Sequence, residues 1–106
     1  MTSLPWPWPG ATAPHDFRFF PEFSADTPFW CGLALVPIGA MPLSADLAAE
    51  LALWCEEYET QTDTADLHWK AGSLSYADFH LRGRALCARA QSELGPDYVL
   101  TYEEWA

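Results

Sequence analysis

Basic residues are scarce. The 106-residue chain carries five Lys and Arg against fifteen Asp and Glu, a formal charge of -10. No basic side chain occurs between Arg18 and Lys70, an interval holding Glu22, Asp26, Asp46, Glu50, Glu56, Glu57, Glu59, Asp63 and Asp66. A field of this sign repels phosphate backbones and anionic membranes, so direct nucleic-acid binding and membrane attachment are not expected. No run approaches the ~18 apolar residues of a membrane span, and Met1–Pro14 has neither the positive charge nor the apolar stretch of a secretory signal. Cysteine is limited to Cys31, Cys55 and Cys87, an odd number without any C-x-x-C, which excludes a disulfide framework and fits reduced thiols in the cytoplasm. A Gly-rich phosphate loop, H-E-x-x-H and G-x-S-x-G are all missing.

What is present is apolar. Half the residues are hydrophobic, with six Trp, six Phe and four Tyr, enough for a core held by packing alone. The length suits one domain. Residues 1–14 read as a tail in which Pro5, Pro7, Pro9 and Pro14 favour extended geometry, Gly10 breaks it, and Trp6 and Trp8 need cover from this domain or a partner. Residues 15–106 form the single domain.

Phe17, Phe19 and Phe23 alternate with Arg18, Phe20 and Glu22 as in a strand, which Pro21 restricts to an edge or a bulge. Asp26–Pro28 make a turn, and Phe29–Ile38 is either a short buried strand or an ordered loop. Ser44 is a helix N-cap, with Asp46 in the first turn and Leu47, Leu51, Trp54 and Tyr58 on one stripe to about Gln61. Residues 62–74 are loop. Ser75 with Asp78 opens a second helix from about Tyr76 to Leu94, stopped by Gly95 and Pro96, and Gly83 in its apolar stripe permits close helix approach. Tyr98, Leu100 and Tyr102 then alternate as a terminal strand. This order predicts an α+β domain: two antiparallel helices packed on a small antiparallel sheet formed by the N- and C-terminal strands.

Catalytic and metal chemistry find little support. Asp63, Asp66 and His68 match no established ligand pattern, and solvated loop charges explain them equally well. Cys55 adjoins Glu56 and Glu57, which oppose thiolate formation, while Cys87, with Arg84 and Arg89 nearby, is the better nucleophile candidate. Neither cysteine has a base assigned to it, and Glu56, Glu57 and Glu59 on a solvated helix lack the contrast of environments that acid–base catalysis needs. No catalytic residue, metal or cofactor is therefore expected, and the chain reads as a non-enzyme.

Binding fits better, because acidic side chains mixed with apolar anchors have the makings of an interface. Leu53 beside Asp46, Glu50 and Glu57 is one patch; the loop with Asp63, Asp66, His68 and Trp69 is the other, and Glu56 and Glu59 extend the field. Against this, the tail can cover Leu53, and Trp69 can plug the end of the helix pair. The strand followed by Pro28, Phe29 and Trp30, the set Leu43, Ser44, Leu47 and Trp54, then Gly83, Leu86, Glu93–Pro96, Tyr102 and Glu103 resemble a group of small acidic proteins of high-GC actinobacteria. The tail departs from that pattern. In size and charge the chain is also similar to immunity proteins, which neutralise a cognate toxin. The resemblance implies a protein that inhibits a basic partner, such as a toxin acting on nucleic acid. The alternative is an accessory subunit inserting its aromatic tail into a larger assembly.

Overall fold

A computed structural model describes residues 15–22, 25–32, 34–62, 69 and 75–104. The tail and residues 63–68, with Asp63, Asp66 and His68, lie outside the described residues. Strands β1 (His15–Phe19), β2 (Phe29–Cys31) and β3 (Ala34–Val36) are followed by a 3-10 turn at Ile38–Ala40, helices α1 (Ala45–Gln61) and α2 (Tyr76–Leu94), and strand β4 (Tyr98–Tyr102). The α+β class stands.

The helices begin and end where side-chain chemistry dictates. Ser44 Oγ accepts the Leu47 N–H at 3.3 Å, and Ser75 Oγ accepts the Asp78 N–H at 3.0 Å, each satisfying a donor that the first turn leaves open. Gly95 stops α2 with φ +81°, a conformation that a Cβ disfavours. Ser44 also holds the helix ends together: its N–H and Oγ donate to the Glu93 carboxylate at 2.7 and 2.8 Å. With Arg89 on Glu50 and Arg82 on Glu57, the contacts climb α1 as they descend α2, so the helices are antiparallel.

The sheet has the order β3-β2-β1-β4 and is mixed. β1 pairs antiparallel with β2, but parallel with β4, from His15 opposite Tyr98 to Phe19 opposite Tyr102. The expected antiparallel pairing of the terminal strands is therefore replaced by a parallel one, because the intervening path reverses the chain an even number of times. Of the two positions expected from Pro21 for the first strand, an edge or a bulge, the edge is corrected: β1 is central, and it stops at Phe19 before the missing proline donor can matter. Phe29–Ile38 resolves into the β2–β3 hairpin, turned at Gly32 with φ +61°.

Alternation divides the sheet. Phe17, Phe19, Phe29, Val36 and Tyr98 face the helices and are buried, together with Leu47, Leu51, Trp54, Phe79, Leu86 and Ala90. Trp54 lies at the centre, its ring stacked on Phe79 at 4.6 Å and its Nε1–H donated to the Phe79 carbonyl at 3.1 Å. Gly83 faces the same indole, so the close approach anticipated for it is made to Trp54 of α1 and to Tyr102 of β4.

Behind this core, His80 Nδ1 is hydrogen-bonded to the Tyr102 hydroxyl, with Tyr76 and Phe79 rings edge-on to the imidazole. Burial pushes the His80 pKa below its ordinary value of 6.5; Arg84 adds to the effect and Glu104 opposes it. The unfolded chain thus takes up a proton before the folded one does. The corresponding stability is full above pH 6.5 and is lost as pH falls through the folded pKa. Urea midpoints should decline on acidification below pH 6.5, and His80→Gln should flatten that decline; equal slopes would assign the loss to other groups.

Candidate partner-binding surface

With Leu47, Leu51 and Trp54 turned inward, the 100° step per residue leaves α1 two polar flanks. The first faces α2. There Arg89 reaches Glu50 at 2.5 Å and Arg82 reaches Glu57, and Leu53, 59% exposed, stands between these cross-helix pairs. Glu50, Leu53, Glu57, Arg82 and Leu86 line a groove of about 240 Å³. The acids on this flank face cations of their own chain.

The second flank lines another groove. Ala52, Cys55, Glu56, Glu59 and Thr60 recur along one row of α1 and, with Ala25 and Asp26 from the turn before β2, line a groove of about 570 Å³. No arginine is among its lining residues. Arg18, Arg82, Arg84 and Arg89 are drawn instead to Glu103, Glu57, Glu104 and Glu50, with Arg89 also 3.9 Å from Glu93. Such half-exposed pairs contribute only ~0–1 kcal/mol each to stability, but they fix where positive charge sits. The Cys55 thiol registers the outcome: burial, then Asp26 and Glu59, push its pKa up to about 12.

The residues singled out in the sequence thus separate. Glu50, Leu53 and Glu57 share the first groove, and Glu56 and Glu59 share the second. Trp69 is partly buried, its ring 5.0 Å from Phe79, 5.5 Å from Tyr76 and 6.4 Å from Tyr58, so it closes the end of the helix pair. Asp26, Ala52 and Cys55 were missed as a set. The helical row 52, 55, 56, 59, 60 was legible as a flank, but nothing local joins Asp26 to it.

Cys87, the better of the two thiols as a nucleophile in the sequence though expected to be structural, lies buried on α2. Arg84 and Arg89 are turned to carboxylates, and burial pushes the Cys87 thiol up to about 11, so it is not poised as a thiolate at neutral pH. Among the described residues, no group of three His, Cys, Asp or Glu could hold a metal ion, and no helix is long and apolar enough to cross a membrane.

A family model described as "Serratia CdiI immunity protein-like" matches residues 16–104. The match spans both helices and all four strands except His15 at the start of β1. Comparison with curated proteins gives no match.

Proposed function

The chain belongs to the Serratia CdiI immunity protein-like family, and on that premise we propose that it neutralises a basic contact-dependent-inhibition toxin in the cytoplasm by binding it, without catalysis. Family membership supports the toxin as partner. The observation that supports its basic character is the second groove: Asp26, Glu56 and Glu59 line a concave surface, and no arginine is among its lining residues. A basic toxin surface would be attracted there at long range and could seat Lys or Arg side chains against these carboxylates on contact. The thiols are consistent with binding, since burial raises the pKa of both Cys55 and Cys87.

The test begins with capture of the partner from cells of the native host at low and at moderate salt, with mass spectrometric identification. The isolated partner is then expressed with and without this chain. The reading requires a basic protein whose affinity falls as salt rises and whose toxicity disappears on co-expression. Toxicity that persists despite binding would overturn neutralisation. Binding indifferent to salt would overturn the electrostatic recognition.

A further inference from the structure

An open sheet ends in two edge strands, whose outward N–H and C=O groups can pair with another chain. Among the described residues these are β3 and β4. β3 is three residues long and runs into Pro37, which has no N–H to offer, so little can add there. β4 is the greater hazard. Its residues, Tyr98–Tyr102, include no charge, proline or glycine, and all but Leu100 are strong strand formers. The His15 N–H bonds the Asp97 carbonyl at 2.8 Å and the Glu103 N–H bonds the Phe19 carbonyl at 2.9 Å, which turns the odd-numbered residues of this stretch toward β1. By alternation Tyr98, Leu100 and Tyr102 aim their backbone groups away from β1, along the edge. Gln91 of α2 meets them there. Its side-chain N–H donates to the Tyr98 carbonyl at 2.7 Å and to the Gly95 carbonyl at 3.2 Å, and its Oε1 accepts the Leu100 N–H at 2.8 Å. A donor to one residue and an acceptor from the residue two further on are what a single residue of a parallel neighbouring strand supplies. Arg84, two turns earlier on α2, lies 5.2 Å from the Tyr102 ring and pairs with Glu104, so the same flank of the helix follows β4 to its end.

We infer that Gln91 guards this edge: its side-chain amide takes the place of a neighbouring strand along Tyr98–Leu100 and so keeps a second copy of the chain from adding at β4.

A second copy is the addition to be prevented, because two β4 edges match each other about a twofold axis and each brings the same uncharged run. The formal charge of -10 opposes that encounter only in part, since at ~0.15 M salt repulsion is screened beyond ~8 Å. An edge strand is commonly protected by a charge, a proline or a bulge of its own. β4 carries no charge or proline, and the two groups that would begin a ladder are instead consumed by a side chain of α2. The bonds also brace α2 on β4, but bracing alone needs only packing, whereas the amide matches both a carbonyl and an N–H of the edge. The guard lies on β4 and not on the acidic flank of α1, so it stands or falls independently of toxin recognition.

Two variants of the full-length chain and the native protein test this. In the native protein, nuclear magnetic resonance should detect scalar couplings across the hydrogen bonds of Gln91 with Leu100 and Tyr98; their absence would overturn the inference. Gln91→Met keeps the length of the side chain and removes both bonds. At ~0.15 M salt its mass by sedimentation should rise with concentration toward that of a dimer or larger species. Its Leu100 amide should exchange roughly tenfold faster than in the native chain when dilute, and slow again on association. Gln91→Glu also loses the bond to Tyr98 and sets a charge against two carbonyls, so it should melt at least as low as Gln91→Met. A charge at the edge should nevertheless keep it monomeric. Association of Gln91→Glu as strong as that of Gln91→Met would assign the effect to lost stability and overturn the guard, as would a folded Gln91→Met that stays monomeric at every concentration. Failure of either variant to fold would make Gln91 a brace of α2 and overturn it equally.

Discussion

Gly83→Ala should lower the melting temperature by about 10 °C or more, although alanine is the better helix former by ~1 kcal/mol. A Cβ on Gly83 would sit 2.9 Å from Trp54 Cε2, closer still to Cζ2, and 2.6 Å from the Tyr102 hydroxyl. None of these atoms is the free end of a flexible side chain. Trp54 is fully buried, stacked on Phe79 and hydrogen-bonded to its carbonyl, and the Tyr102 hydroxyl is held by His80 Nδ1. Relief therefore requires α2 to move away from α1 and β4 together. Overpacking of this kind costs ~1–3 kcal/mol or more, and the rigidity of the neighbours places this site at the upper end, a net loss of about 2 kcal/mol after the helix gain. Circular dichroism melts would check it. A melting temperature equal to that of the native chain would show that the Trp54 pocket has slack absent from the structure.

Reversing the groove acids should have the largest effect on partner binding. Glu56→Lys/Glu59→Lys is expected to slow association with a basic toxin by roughly tenfold or more at low salt, with a smaller difference at high salt, because the altered charges act mainly on encounter. The double variant Asp78→Lys/Asp97→Lys changes the net charge equally at exposed positions that do not line the groove. It should slow association much less. Stopped-flow or surface-binding kinetics at two salt concentrations distinguish the cases; equal slowing by both variants would mean that only total charge matters and would remove the groove from the interface.

The legible part of this protein was local. Ser44, Ser75 and Gly95 mark helix ends by bonds within a single turn, and the 3.6-residue stripe Leu47, Leu51, Trp54 reports which face is buried wherever the helix packs. The acidic field between Arg18 and Lys70 was equally plain, and family membership agrees with the immunity-type reading drawn from size and charge. Pairing was less accessible. Alternation in Tyr98–Tyr102 says strand and says nothing of direction, and the short β2–β3 hairpin is too apolar throughout to display a period.

The candidate surface shows where this boundary lies. Glu50, Glu56, Glu57 and Glu59 are chemically alike and stand within three turns of one helix, and the sequence alone determined that they flank its buried stripe. Tertiary structure decided which groove each one lines: α2 brings Arg89 and Arg82 to Glu50 and Glu57, and the turn before β2 brings Asp26 into the groove that Glu56 and Glu59 line. Caps, stripes and total charge depend on neighbours a few residues apart and so are written in order along the chain. Charge compensation depends on what packing carries to within ~4 Å across dozens of residues, where Coulomb energies become decisive only after the fold has formed.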